Sequence, residues 1–362
     1  MKPIKIIISG GGTGGHIFPA LAIAIGMQKI NLNTSILFVG AKGKMEMEKI
    51  PKAGFLIKGL WISGFQRSLS FENLLFPLKL VISIIQAFRV LKKFKPNIVV
   101  GTGGFASGPL LWVAQLLDLP TILQEQNSYP GFTNRILSKN ANRICVAYDG
   151  MEKFFPKSKI LLTGNPVRSN LVNLISSEKS KKHFDLNPKI KTLVVLGGSL
   201  GSERINELIK SNLDLFNELD LQVLWQCGQI YYEKYKKNAS NKVVIKPFIS
   251  KMEQLYAAAD FIISRAGAGS ISELSCVGKP ILLIPSPNVT ANHQYCNAQA
   301  LVKENAALMV EEKDLEEKFK KYFLILVSDE STQQELKQNL KRLSRPNATQ
   351  NIIREIIQLN DN

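Results

Sequence analysis

Residues 4–16, IKIIISGGGTGGH, constrain this chain more than any other stretch. Ile4, Ile6, Ile7 and Ile8 form a β-branched run too short for a helix and unbroken by polar alternation. A parallel strand buried on both faces reads this way. Five glycines and a threonine follow, and then Pro19-Ala-Leu-Ala-Ile-Ala has helical composition. Strand, glycine turn and helix start together predict an anion site. Glycine lets the backbone approach a ligand closely, and a helix N-terminus turns free N–H groups and a partial positive charge toward it.

Gly10, Gly12 and Gly15 also satisfy G-x-G-x-x-G, so a dinucleotide site has to be weighed. A nicotinamide enzyme needs an acidic residue roughly 20 positions on, at the end of the second strand, to hold the ribose. That strand reads Ser35-Ile-Leu-Phe-Val-Gly40 and is followed by Ala41 and Lys42, with no carboxylate. His16, which closes the loop, has no place in that fingerprint either.

A chain of 362 residues with 45% apolar content predicts a globular protein of about two domains. Its four cysteines, Cys145, Cys227, Cys276 and Cys296, are scattered, which points to a reduced, cytoplasmic protein without a disulfide framework or zinc site. The N-terminus runs directly into the first strand, so no signal peptide is expected. The net charge of +17 is uneven, at +13 over residues 1–165 and +4 over residues 166–362. A basic half suits nucleic acid, a polyphosphate or an anionic membrane. No helix-turn-helix, zinc finger or aromatic-basic RNA platform is present, so nucleic acid is not an expected partner.

Residues 71–95, FENLLFPLKLVISIIQAFRVLKKFK, favour the membrane. Lys79, Ser83, Gln86 and Lys93 fall on one helical stripe, and nearly everything else is apolar. The longest uncharged run, Leu80–Phe88, is far short of the roughly 20 residues a spanning helix needs. A core helix explains part of this apolar arc. An interfacial anchor explains its width, with Leu75, Phe76, Leu80, Ile84 and Phe88 inserted and Lys79, Arg89, Lys92, Lys93 and Lys95 at the headgroups.

A second strand and glycine turn follows at residues 97–108. The strand Pro120-Thr-Ile-Leu-Gln124 then leads into Glu125-Gln126-Asn127, at the carboxyl end of the sheet where α/β ligands bind. Arg143–Ala147 and Lys159–Gly164 read as the last strands of the first sheet, and the charged stretch Ser176–His183 reads as surface. The opening pattern then recurs at Lys191–Ser202, KTLVVLGGSLGS, and a further strand and glycine turn lies at Phe261–Ser270 within the second half. Two such starts predict an α/β chain of two Rossmann-like domains facing across a ligand cleft. In the turn at Arg265–Glu273, the helix start suits a pyrophosphate, and Glu273 one turn in could accept both hydrogens of a ribose diol. A carboxylate in a first turn also serves as a plain dipole partner.

GGGTGGH, EQN-x-x-x-G-x-x-N, GNPVR, GGS-x-G, SRAGAGSISE and NHQ occur in this order. Together they resemble the MurG family of bacterial glycosyltransferases, which add N-acetylglucosamine to lipid I to make lipid II. The resemblance covers essentially the whole chain. Gln124 stands where the family commonly has a histidine, and Ala266 where a serine is common. The resemblance implies a GT-B fold, with residues 1–165 as an acceptor and membrane domain and 166–343 as the domain binding UDP-N-acetylglucosamine. Residues 344–362 would form a helical segment packing back toward the first domain. Carried over position by position, the donor contacts are Thr13, Gly14, Gly15, Asn127, Arg168, Ser199, Ile249, Ala268, Gly269, Ser270, Ile271, Ser272, Glu273 and Gln294. The Ile249 backbone would read uracil and Glu273 the ribose. Ser199, Arg168 and the glycine-turn helix would lie near the diphosphate, with Gln294 and Asn127 near the sugar.

The implied reaction is inverting attack of the N-acetylmuramoyl 4-hydroxyl on the anomeric carbon, with UDP as leaving group. The candidates for general base are His16 and Glu125, though His16 could instead hold the acceptor diphosphate or cap its helix. No Asp-x-Asp motif occurs, so neither a metal ion nor another cofactor is expected, and helix N-termini and Arg168 would stabilise the leaving charge. The expected partners are UDP-N-acetylglucosamine, lipid I in the bilayer, the anionic membrane surface and other cell-wall synthesis proteins. The expected location is peripheral, on the cytoplasmic face of the bacterial inner membrane. A UDP-N-acetylglucosamine 2-epimerase would share the architecture and the donor but needs no membrane face.

Overall fold

The missing polar alternation in Ile4–Gly10 has a direct structural cause. In a computed structural model describing residues 3–64, 75–168, 171 and 174–361, this strand, β1, lies inside a parallel sheet with layers on both faces. The chain divides into two compact units, one of residues 1–167 with 346–362 and one of residues 168–345.

The first unit carries β1, β2 (Thr34–Ala41), β3 (Leu56–Leu60), β4 (Ile98–Gly103), β5 (Thr121–Glu125), β6 (Arg143–Val146) and β7 (Ile160–Leu162). Their order is β3-β2-β1-β4-β5-β6-β7, and Ile7 of β1 stands opposite Leu37 on one side and Val99 on the other. The order reverses between β1 and β4, and ligands of doubly wound sheets bind outside the strand ends at such a switch point. Helix α1 (Gly14–Ile30) begins five residues before Pro19, so His16 belongs to its first turn. The segment Ala41–Lys58, polar in sequence, contains α2 (Glu46–Lys52) and the start of β3.

One face of this sheet is covered by α1 and by the terminal helix Ala348–Asp361. Ile352, Ile353 and Ile356 of that helix are fully buried among Ile6, Ile8, Ile23 and Met27. Each such side chain contributes about 1.5–3 kcal/mol. The other face is covered by α3 (Phe76–Phe94) and α4 (Ser107–Leu116).

The second unit repeats the plan with β8 (Lys191–Leu196), β9 (Leu221–Gln226), β10 (Val243–Lys246), β11 (Phe261–Ser264), β12 (Ile281–Leu283) and β13 (Leu308–Met309). Their order is β10-β9-β8-β11-β12-β13, with the switch between β8 and β11. Ser176–His183 is more than surface. The helix Ser177–His183 buries Lys181, whose ammonium lies 2.7 Å from Asp260 Oδ2 and donates to the Ile190 carbonyl at 2.8 Å. A buried lysine is tolerated because both partners replace water.

Candidate active site

In the first unit the loop after β1 and the end of β4 meet around His16. The ring Nδ1 is 2.9 Å from the Gly11 carbonyl and 3.4 Å from the Thr13 hydroxyl. A carbonyl only accepts, so Nδ1 carries a proton, and in the neutral tautomer with that proton the lone pair is on Nε2. Gly103 has φ near +100°, and a Cβ there would lie 2.9 Å from Nε2, so a glycine clears space for the ring. Thr102 Oγ1 donates to the His16 carbonyl at 2.8 Å and ties the start of α1 to β4. Thr13 is extended at the N-cap without capping through its side chain, and the Gly14 and Gly15 amides have no partner among the described residues.

Glu46, in α2, was not singled out from the sequence and is fully buried here. Its Oε2 accepts from the Gly12 amide at 2.8 Å and its Oε1 from the Ala41 amide at 2.9 Å. A Cβ on Gly11 would collide with this carboxylate. The end of β2 therefore does have a carboxylate close by, but it binds the glycine loop itself rather than a ribose.

Glu125, at the end of β5, is also buried. Oε1 accepts from the backbone amide and side-chain amide of Asn127 at 3.0 and 3.2 Å, and Oε2 from the Gly131 amide and Asn134 Nδ2 at 3.0 and 2.9 Å. Gln124, at the position where the family commonly has a histidine, donates to Asn165 Oδ1 at 2.8 Å, and Asn165 donates to the Gln126 carbonyl at 3.0 Å. These contacts fix the segment that carries Asn127.

On α3, Phe76, Leu80 and Ile84 are half-buried and pack against the core of their own unit. The exposed apolar stripe is Leu75, Leu78, Val81, Ile85 and Phe88, at helical spacing. Arg89, Lys92, Lys93 and Lys95 are exposed at its end, with Lys92 Nζ 5.6 Å from the Phe88 ring centroid, whereas Lys79 donates to Ser63 Oγ at 3.1 Å. Trp112 and Leu116 are exposed on neighbouring α4. Residues 71–74, the start of the expected anchor, lie outside the described residues. Among the described residues no helix is long and apolar enough to cross a membrane.

In the second unit, Glu273 lies in the second turn of the helix Ala268–Val277. The helix dipole acts within the first turn, so the plain dipole reading of Glu273 loses its basis. Its carboxylate sits 3.2 Å from Arg168 Nη1 and accepts from the Tyr256 hydroxyl at 3.1 Å. Burial raises the Glu273 pKa above the ordinary carboxylate value, against the lowering influence of Arg168 and Tyr256. The Arg168 side chain is 45% exposed and Glu273 15%, so the pair opens to solvent on the arginine side.

Ala268, Gly269, Ser270, Ile271 and Ser272 form the first turns of the same helix, entered through an extended Gly267 without a side-chain cap. Gln294 Oε1 accepts from the Ala266 and Ser286 amides at 3.2 and 2.9 Å, which leaves its Nε2 as donor. Ser199 is exposed in the loop between β8 and the helix Glu203–Ser211. The Ile249 amide donates to Gln226 Oε1 at 2.8 Å, and Gln226 Nε2 donates to the Gly198 carbonyl at 3.2 Å. The Ile249 carbonyl is the group with no partner among the described residues.

Residues 6–146 match the glycosyltransferase family 28 N-terminal domain, and residues 192–352 match the glycosyltransferase family 28 C-terminal domain. A protein of Flavobacterium psychrophilum is 50% identical over 99% of this chain and 98% of its own length. One of Christiangramia forsetii is 52% identical, again over 99% and 98%. Both are named UDP-N-acetylglucosamine–N-acetylmuramyl-(pentapeptide) pyrophosphoryl-undecaprenol N-acetylglucosamine transferase. The crystal structure of Acinetobacter baumannii MurG superposes with a TM-score of 0.81 at 27% identity, covering 98% of this chain and all of that one. The chain belongs to the MurG family.

The two parallel-sheet units are therefore the N- and C-terminal domains of a GT-B glycosyltransferase. Within this MurG-family chain, Glu46, Gln226 and Tyr256 were missed by motif reasoning. Glu46 stands outside any glycine motif, Gln226 closes a strand, and Tyr256 is a buried aromatic like any core residue. A buried carboxylate is rare enough to be worth tracing, but its burial was not legible before the fold.

Proposed function

We propose that this chain transfers N-acetylglucosamine from UDP-N-acetylglucosamine to the 4-hydroxyl of N-acetylmuramic acid in lipid I, giving lipid II and UDP in peptidoglycan synthesis. The observation that carries this reading is the full-length likeness to relatives named for that transfer. In the proposed reaction the acceptor hydroxyl gives its proton to His16 Nε2 as its oxygen bonds to the anomeric carbon. The bond from that carbon to the diphosphate breaks with inversion, and UDP keeps the electron pair.

Of the two candidate bases, His16 is favoured. Its Nε2 is unprotonated in the neutral ring, whereas both Glu125 oxygens already accept fixed donors. Glu125 then acts as the clamp that presents Asn127. The second unit takes the donor. The Ile249 carbonyl faces the uracil N–H, Glu273 accepts the ribose hydroxyls, and Gln294 Nε2 reaches the sugar. Arg168, Ser199 and the helix start at Ala268 receive the diphosphate charge. No step uses a metal ion, in keeping with the missing Asp-x-Asp motif.

The stripe Leu75, Leu78, Val81, Ile85 and Phe88, followed by Arg89, Lys92 and Lys93, supports peripheral binding to the anionic cytoplasmic face of the membrane. The test is a transfer assay with labelled UDP-N-acetylglucosamine and a lipid I analogue, with and without excess EDTA. Acceptor-dependent product that persists in EDTA is expected. UDP release that ignores the acceptor would favour an epimerase, and a complete loss restored only by a divalent ion would overturn the metal-free reading.

A further inference from the structure

Glu46 has no part in the chemistry described so far, yet it is a carboxylate at 0% exposure with no cation paired to it among the described residues. Burying an unpaired charge is unfavourable unless hydrogen bonds replace its water. Here the bonds are two backbone amides, Gly12 at 2.8 Å and Ala41 at 2.9 Å. The chain leaves room for the side chain on two sides, since a Cβ on Gly11 or on Gly40 would run into it.

The Gly12 N–H and the Gly11 carbonyl are the two ends of one peptide group. That carbonyl is the acceptor of His16 Nδ1–H at 2.9 Å. A peptide group is conjugated, so an anion at its N–H end shifts electron density to its oxygen and strengthens that oxygen as an acceptor. A hydrogen bond to a full charge does this more strongly than one to a neutral group.

We propose that Glu46 is a positioning residue that acts on His16 through the Gly11–Gly12 peptide group, forming a carboxylate–peptide–imidazole relay. The relay fixes the proton on Nδ1, orients the ring and strengthens Nε2 as a base. No proton crosses it. The hydroxyl proton stays on Nε2 and Nδ1 keeps its own. Among the described residues the ring's hydrogen-bond partners are the Gly11 carbonyl and the Thr13 hydroxyl, both uncharged, and Gly103 lies beside the ring.

The inference rests on His16 as general base, and its test separates the two. Glu46→Gln keeps the shape and removes the charge. Its kcat should fall about tenfold with the donor KM within about threefold, and the acid limb of the kcat–pH profile should move to lower pH. Glu46→Asp should return the limb toward the wild-type position. An unmoved limb in a folded Glu46→Gln protein, or an equal loss in both variants, would overturn the relay. Near-normal turnover of His16→Ala would instead remove the base itself.

Should Glu46→Gln give no cooperative melt, the wild-type protein decides. Its three histidines, His16, His183 and His293, can be followed by nitrogen-15 resonances assigned with His16→Gln. The relay requires a neutral His16 ring protonated on Nδ1 and a Gly12 amide resonance that shifts with the ring's titration. An Nε2–H tautomer, or a Gly12 resonance blind to that titration, contradicts it.

Discussion

The loop after β1 and the turn after β11 have the same plan, a buried strand, a glycine turn and a helix start at the switch point of a parallel sheet. They differ in what their nearby carboxylate does. Glu46 is sealed and held by two backbone amides, groups that stay in place as long as the fold does. Glu273 is held by a half-exposed arginine and a tyrosine hydroxyl, and burial raises its pKa. A carboxylate saturated by peptide N–H groups builds a scaffold. One desolvated beside exchangeable side chains is poised to accept a ligand's hydroxyls. The surrounding surfaces differ too, since the first 165 residues carry +13 and the remainder +4.

The largest expected effect breaks the first loop at its functional end. His16→Ala should lower turnover by about 10²–10⁴-fold with donor affinity nearly intact, as loss of a general base does. Steady-state kinetics with a soluble lipid I analogue measure it, and near-normal turnover would leave the glycine loop without a catalytic role.

The surface contrast gives the next effect. Each basic residue near an anionic leaflet contributes about 1 kcal/mol, so reversing Arg89, Lys92 and Lys93 together should weaken vesicle binding by at least roughly two orders of magnitude at low salt. Sedimentation with anionic vesicles should show the difference shrinking as salt shortens the Debye length. Turnover on a short-chain soluble acceptor should hardly change. Wild-type binding by the triple variant would make α3 an ordinary core helix.

The smallest effect separates the carboxylates by pH. In the proposed donor site Glu273 must be ionised to accept two ribose hydroxyls, and burial raises its pKa above the ordinary value of 4.5. UDP affinity should therefore fall with acid about tenfold per pH unit, beginning above the range of a normal glutamate. Protein stability runs the other way at this residue. A raised folded-state pKa means its contribution is present below the unfolded value and is lost as pH rises through the folded one. Because Arg168 lowers the Glu273 pKa, the acid loss in Arg168→Ala should begin at higher pH. A pH-independent UDP affinity would place the ribose elsewhere.

Strands β1 and β8 and the glycine turns were legible because a β-branched run meeting glycine has few other readings. The second-turn position of Glu273 depended on where the helix Ala268–Val277 starts, a boundary that spacing leaves loose. Helix α2 and strand β3 were hidden in a polar segment where Pro51 lies inside the helix and Gly59 inside the strand, both poor formers of those elements. Glu46 went unseen with them. On α3 the apolar arc was clear, but which stripe the core takes follows from its packing against β3 and α4, information that periodicity lacks.

The most direct test of the contrast is UDP binding by calorimetry to Glu273→Ala and Glu46→Gln at neutral pH. A carboxylate contact to the ribose diol contributes roughly 1.5–3 kcal/mol, so Glu273→Ala should bind UDP about 10- to 150-fold more weakly while melting cooperatively. Glu46→Gln should bind UDP as the wild type does. Wild-type UDP affinity in Glu273→Ala, or a comparable loss in a folded Glu46→Gln protein, would contradict the division of roles between the two carboxylates.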